Sequence, residues 1–235
     1  MSYGDKDFKN HYADTPSIHT QKVSVNFPSS VDKYLNLQCN GDRLLYTNMP
    51  EAKHLNGVFG EINPRNVLEI GGGVGRASVY LAKRFNWHDA TFYMLDGDAG
   101  EKQICPVGGD GELDFYNSFS STKNFMSANG IDDQVLLDAS NSSWENEVSV
   151  KFDLIYSFLS IGFHWPIDLY LDRIHKFCHK DTLLVFGVRG TDRGHSFSEG
   201  QISRIDRSKY ELVLDARESE LLRSSVIVLR AAGGI

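Results

Sequence analysis

Short apolar runs alternate with helical segments from residue 66 to the end of the chain. Apolar runs of strand length lie at residues 67–70, 91–96, 134–138, 151–160, 182–189, 210–214 and 225–230. Apolar side chains recur at helical spacing in residues 76–85, 118–129 and 167–174. Residues 1–65 show only fragmentary periodicity, with helix-like pieces near 30–37 and 50–62. We therefore expect one domain, with residues 1–65 as a cap and 66–235 as its core.

The first predicted strand leads directly into a glycine-rich turn. Its glycines are Gly71, Gly72, Gly73 and Gly75. Glycine tolerates positive φ values, and it lets an adenosine-bearing ligand approach the main chain closely. The dinucleotide pattern Gly-x-Gly-x-x-Gly/Ala fails here, because Arg76 occupies its third position. A phosphate-binding loop is also excluded, since no Gly-Lys pair follows the turn.

The turn and the acid before it form the pattern Glu69-x-Gly71-x-Gly73-x-Gly75, which resembles the first motif of class I S-adenosylmethionine-dependent methyltransferases. The resemblance implies S-adenosylmethionine as cofactor, with the glycine turn under its methionine part. It also implies that Glu69 reaches the cofactor's ammonium group directly or through water, and a carboxylate is a suitable partner for an ammonium. The implied fold is a Rossmann-like α/β fold. It has a seven-stranded, mostly parallel sheet with helices on both faces, an antiparallel last strand and an N-terminal helical cap.

The second predicted strand ends in an acid, Asp96, followed by Gly97. A carboxylate at this strand end can bind both hydroxyls of a ribose, so Asp96 is the predicted ribose ligand. Asp98 is the rival for that role, and an ordinary turn acid is the alternative for either. The connection at 97–116 is longer and richer in glycine than the family's common one. It is either a flap over the site or a surface excursion.

The third and fourth predicted strands also end in candidate cofactor residues. Asp138 and Ala139 match the acidic-then-small pair that accepts the adenine amino group in the family, although an aspartate after a strand is also common turn chemistry. Ser157 ends the fourth strand, whose end faces the transferred methyl group in the family. These residues complete the predicted cofactor site.

Candidate substrate-binding and catalytic residues follow the fourth and fifth strands. A hydroxyl acceptor benefits from a general base, and histidine has a suitable pKa, so His164 is the predicted base; capping the next helix is its alternative role. Trp165 and Arg189 are predicted substrate contacts, and Tyr12 is a third from the cap. Core packing or a solvated loop charge is the competing interpretation for each.

Composition narrows the class of protein. The 235 residues carry a net charge of −7 and an isoelectric point near 5.6, without a Lys/Arg-rich run, which argues against nucleic acid as substrate. The segment 157–160 lacks the Asn/Asp-Pro-Pro-Tyr/Phe motif of base-amino methyltransferases. Three scattered cysteines suggest neither disulfides nor a zinc site, and no metal is expected. No signal peptide or membrane-spanning run is evident, so we expect a cytoplasmic protein.

These observations predict a methyltransferase that uses S-adenosylmethionine on a small polar metabolite, by O-methylation of a sugar or a similar molecule. Two alternatives remain open within the fold: an N-methyltransferase, and a catalytically silent binding protein. A nicotinamide oxidoreductase is disfavoured by the glycine spacing. The sequence specifies no oligomeric state.

Overall fold

The computed structural model describes residues 56–98, 119–158, 160–161, 167–189, 200–215 and 224–232. Its helices include α1 (Asn56–Gly60), α2 (Arg76–Phe85), α3 (Phe119–Ala128) and α4 (Ile167–Ile174). Its strands are β1 (Asn66–Ile70), β2 (Thr91–Asp96), β3 (Gln134–Asp138), β4 (Phe152–Ser157), β5 (Cys178–Arg189), β6 (Tyr210–Asp215) and β7 (Ser224–Ala231). Two 3-10 turns lie at Trp144–Glu147 and His175–Phe177.

All seven strands form a single sheet in the order β3-β2-β1-β4-β5-β7-β6. Neighbours among the first five strands pair in parallel, whereas β7 pairs antiparallel with both β5 and β6. The predicted Rossmann-like sheet is therefore confirmed, including its antiparallel last strand. The strand order reverses between β1 and β4, and in such open sheets ligands bind in the crevice beyond the carboxyl ends of the strands.

Both faces of the sheet are buried under helices, as the continuous apolar runs predicted. In β1, Val67 faces a cluster that includes α2 and α3, whereas Leu68 and Ile70 face the opposite cluster, which includes α4. The alternation follows from the two-residue period of a strand. Helices thus cover both faces of the sheet. The edge formed by the carboxyl ends of the strands is left for a binding site.

The observed bounds of most elements lie within a few residues of the predicted ones. The clearest difference is β5, which begins at Cys178 rather than at residue 182, because Cys178 pairs with Phe152 across a register shift. Most of the predicted cap, residues 1–55, lies outside the described residues, as does most of the connection at 97–116. Among the described helices, none combines the length and apolar character needed to cross a bilayer.

Candidate functional site

Acidic side chains mark the carboxyl ends of the three strands on one side of the reversal in strand order. Glu69 lies in β1, and Asp96 and Asp138 end β2 and β3. The last two are direct partners in the parallel register, and neighbouring strands lie about 4.8 Å apart. The sheet therefore gathers onto one edge the three acids that the sequence predicted as cofactor ligands.

The glycine turn lies on this edge and is shaped by packing against other parts of the chain. Gly71 has a φ of +67° and Gly75 a φ of +85°, conformations that strain any other residue. A Cβ at Gly71 would lie 2.2 Å from Cβ of Ser160, and one at Gly75 would lie 2.8 Å from Met126 of α3. From the sequence, these glycines were expected to adopt positive φ values and to allow close approach of a ligand. Contacts within the protein already require glycine at both positions.

Asp96 ties the end of β2 to the glycine turn. Its Oδ2 accepts a hydrogen bond of 2.6 Å from the Gly73 N–H, and its Oδ1 accepts one of 2.7 Å from the Gly97 N–H. Burial raises the pKa of Asp96 to about 6, against the lowering effect of these two bonds. A carboxylate oxygen can accept two hydrogen bonds, so each oxygen keeps acceptor capacity for a ligand.

Glu69 lies beneath the turn, with only 3% of its surface exposed. Its Oε2 accepts hydrogen bonds from the Ser78 hydroxyl at 2.5 Å and from the Tyr156 hydroxyl at 3.1 Å. A Cβ at Gly72 would lie 2.6 Å from Cδ of Glu69, so the carboxyl group packs directly under the turn. Burial raises the pKa of Glu69 to about 7. The carboxyl group is thus turned inward, and its predicted contact with an ammonium stays a prediction.

The adenine-site candidates have local roles. Asp138 Oδ1 accepts hydrogen bonds from the Ser140 N–H at 2.9 Å and from the Ser140 hydroxyl at 2.7 Å. The Ala139 N–H donates to the backbone oxygen of Asp96 at 2.8 Å, which fixes β3 beside β2. These bonds hold the loop after β3 at the edge of the site. The turn that Asp138 forms with Ser140 uses Oδ1 of Asp138 and not Oδ2.

Two further candidates make hydrogen bonds to the backbone of the described residues. Ser157 is fully buried, and its Oγ accepts a bond of 3.4 Å from the Ile161 N–H. Asp98, the rival ribose ligand, accepts a bond of 3.2 Å from the Phe119 N–H at the start of α3. Asp98 therefore takes part in starting α3, and the choice of Asp96 over Asp98 as the ribose ligand stays a prediction.

The hydrogen-bonding roles of several buried polar residues at this edge were not identified from the sequence. Ser78 and Tyr156 bind Glu69, the Thr122 hydroxyl donates to the backbone oxygen of Gly73 at 2.9 Å, and the Gln201 side chain accepts from the Ile167 N–H at 3.0 Å. All four side chains are buried. In the sequence, each of these residues is visible only as a polar residue at a position that packing would bury. That pattern does not identify its hydrogen-bond partner.

Four predicted residues lie wholly or partly outside the described part of the chain. His164, Trp165 and Tyr12 lie outside the described residues. Arg189 ends β5, where its backbone pairs with that of Ser224. Their predicted roles stay predictions.

Electrostatically, the site is acidic and lacks a counter-ion in the part of the chain that the structure describes. No described salt bridge includes Glu69 or Asp96, and no cation contributes to either pKa. The described residues contain no group of three potential metal ligands. The arrangement therefore suits a ligand that carries hydroxyl donors and positive charge.

No protein-family model matches this chain, and no curated protein sequence does either. Solved structures do match it. The O-methyltransferase TomG from Streptomyces achromogenes, involved in tomaymycin synthesis and solved with S-adenosylmethionine, is 13% identical with a TM-score of 0.61. The match covers 98% of this chain and 97% of TomG. The chain has the fold of class I methyltransferases.

An O-methyltransferase from Bacillus cereus, solved with S-adenosylhomocysteine, has the same fold. It is 15% identical to this chain, with a TM-score of 0.55 and coverage of 88% of this chain and 93% of the other. At such identities the likeness extends to the fold, and the function has to be argued from the site.

Proposed function

We propose that this protein binds S-adenosylmethionine and transfers its methyl group to a small polar metabolite, by O-methylation of a sugar or a similar molecule. The observation that carries the proposal is the arrangement of three acids on neighbouring parallel strands beside a glycine turn: Asp96 and Asp138 end β2 and β3, and Glu69 lies one residue before the end of β1. Two structures of the same fold, TomG and the Bacillus cereus enzyme, hold the cofactor or its demethylated product.

The chemistry of the site fits this cofactor. Asp96 keeps one acceptor position on each oxygen, which matches the two hydroxyls of a ribose. Asp138 stands beside it in the register, where an amino group of a base would find an acceptor. Glu69 and Asp96 are acids without a described cationic partner, so a ligand with positive charge compensates their burial.

When bound, S-adenosylmethionine supplies an electrophilic sulfonium methyl group. The chain's own task is to orient the acceptor, exclude water and remove a proton from the acceptor hydroxyl. In this proposal His164 accepts that proton on its imidazole, because its sequence position follows β4 at the ligand-binding edge of the sheet. Trp165, Arg189 and Tyr12 are the proposed substrate contacts, carried over from the sequence.

Calorimetric titration with S-adenosylhomocysteine at pH 8 tests the cofactor site. At this pH both acids are ionised, since their pKa values are about 7 and 6. We expect Asp96→Asn to weaken binding at least tenfold, because hydrogen bonds to a charged group are lost. The matched variant Asp98→Asn should change affinity less than twofold. If Asp98→Asn has the larger effect, the ribose assignment moves to Asp98.

Turnover is tested with methyl-labelled cofactor and a panel of hydroxylated and aminated metabolites. If His164 is the base for O-methylation, the rate should decrease as the pH falls below the pKa of that histidine. His164→Ala should then lose most of the rate. A modest loss on an amine substrate would indicate N-methylation instead. Tight cofactor binding without turnover on any substrate would indicate a silent binding protein, and absence of binding would refute the proposal.

A further inference from the structure

The side chain of Gln201 binds the start of α4 with one end of its amide group. Its Oε1 accepts a hydrogen bond of 3.0 Å from the N–H of Ile167, the first residue of α4. The first N–H groups of a helix have no partner within the helix, so Gln201 caps α4 from 34 residues away. Only the amide oxygen can accept from an N–H, which fixes the orientation of the amide group and leaves Nε2 on its other side.

The amide nitrogen of Gln201 carries two N–H donors that the described residues leave unused. Gln201 is only 5% exposed, and no described residue accepts a hydrogen bond from Nε2. This nitrogen is not fully enclosed either, so part of the remaining exposure lies on it. A nearly buried donor without a partner is unfavourable, and an acceptor atom on a bound ligand would satisfy it.

The residue after Ile167 provides an acceptor at the same helix start. Asp168 Oδ1 lies 3.5 Å from Nη1 of Arg204, without the geometry of a hydrogen bond. The Asp168 side chain is 44% exposed although Oδ1 itself is enclosed, so its accessible oxygen is Oδ2. Arg204 offsets the charge of Asp168. The start of α4 therefore offers N–H donors from Gln201 and a carboxylate acceptor from Asp168, with no net charge.

The topology of the sheet places this helix start on the ligand-binding edge. α4 runs from the end of β4 back to the beginning of β5, where Cys178 pairs with Phe152, the first residue of β4. The start of α4 therefore lies toward the carboxyl ends of the strands. The candidate cofactor acids occupy β1, β2 and β3, so the β4 side of the reversal in strand order is left for the methyl acceptor.

We propose that Gln201 and Asp168 bind the methyl acceptor as a neutral polyol, with Nε2 of Gln201 donating to one hydroxyl oxygen and Oδ2 of Asp168 accepting from a neighbouring hydroxyl. The inference rests on the proposed function and names the residues that select its substrate class. Adjacent hydroxyls of a sugar match one donor and one acceptor, because a hydroxyl both donates and accepts. A carboxylate on the ligand would be repelled by Asp168, and an ammonium has no lone pair for the N–H groups of Gln201.

Ligand-observed NMR titration tests the subsite, with D-glucose, D-ribose and myo-inositol as probes and with the protein both free and loaded with S-adenosylhomocysteine. Gln201→Glu keeps an oxygen for the Ile167 N–H and removes both donors, so it separates substrate binding from helix capping. We expect this variant and Asp168→Ala each to weaken binding of the best probe about tenfold, since each loses a hydrogen bond that involves a buried or charged group. Asp172→Ala is the matched control, because it removes an exposed acid one turn along α4 that also pairs with a cation, Lys209. It should change affinity less than twofold.

The outcomes separate the subsite from the cofactor site. Wild-type affinity for the probes in Gln201→Glu would show that Gln201 only caps α4, and failure of all three probes to bind wild type would also overturn the inference. Urea unfolding checks that Gln201→Glu is folded; if it is not, Asp168→Ala, at a half-exposed position, decides the result alone. If the probes bind and both variants weaken them while S-adenosylhomocysteine does not bind, the proposed function fails and the polyol subsite stands. If S-adenosylhomocysteine binds and no probe does, the subsite fails and the cofactor site stands.

Discussion

Replacing Glu69 by glutamine should make the protein more stable at neutral and alkaline pH. The carboxyl group has a pKa near 4.5 when unfolded and about 7 when folded, because burial disfavours its charge. A raised acid pKa means that the folded state binds the proton more tightly than the unfolded state does. The contribution to stability is therefore complete below pH 4.5 and is lost as the pH rises through 7. Glutamine keeps nearly the same shape and carries no charge to bury.

The expected size follows from the shift in pKa. One pKa unit corresponds to about 1.4 kcal/mol, so the full effect of Glu69 on the free energy of unfolding is about 3 kcal/mol. Between pH 5 and pH 8 the expected loss is about 2 to 3 kcal/mol, since the unfolded glutamate is already partly ionised at pH 5. Asp96 has a raised pKa too, but it is present in both proteins and largely cancels in the comparison.

Urea unfolding at pH 5 and pH 8 measures this difference. The pH dependence of the free energy of unfolding should be about 2 to 3 kcal/mol smaller in Glu69→Gln than in wild type. The matched control is Glu61→Gln, which makes the same chemical change at an exposed position. Equal pH dependence in wild type and Glu69→Gln would show that Glu69 is not buried as a neutral acid.

Three further predictions concern packing and buried hydrogen bonds. Gly187→Ala should lower the free energy of unfolding by about 3 kcal/mol, because the new Cβ would lie 2.5 Å from the backbone oxygen of Phe158. Urea unfolding measures this change. A near-neutral result would contradict the close approach of β5 to Phe158, the residue that follows β4. Gly57→Ala, where nothing lies within 4 Å, should be neutral or stabilising by about 0.5 to 1 kcal/mol in the same assay. Tyr210→Phe should lower the free energy of unfolding by about 1 to 2 kcal/mol. The Tyr210 hydroxyl donates at 2.7 Å to the backbone oxygen of Leu171, and that oxygen would stay buried without a hydrogen bond. Unchanged thermal stability would contradict this prediction.

The predicted strands and helices depended on local patterns, and those patterns were sufficient for most of the sheet. A buried parallel strand is a short apolar run, and an acid at its end is visible directly in the sequence. Asp96 and Asp138 could therefore be assigned to one edge from their positions in the chain, because parallel strands bring their carboxyl ends together. The start of β5 was missed because residues 178–181 include three polar side chains, and their pairing with β4 is a tertiary fact.

The site beneath the turn could not be predicted in this way. Glu69 was recognised as an acid with a role, but its hydrogen bonds run to Ser78 and to Tyr156, which is 87 residues away along the chain. No periodicity encodes such a distance, and neither hydroxyl carries a motif. The orientation of the carboxyl group, and therefore its pKa, is decided only when three elements pack around it.

The glycines show the same division between sequence and tertiary structure. Their spacing after an acid was enough to predict a turn with positive φ values, since glycine adopts these at no steric cost. What lies against the turn, Ser160 beside Gly71 and Met126 beside Gly75, depends on the loop after β4 and on α3. Local conformational preference is a property of neighbouring residues and can be predicted from them, whereas close contact between distant segments exists only in the packed fold.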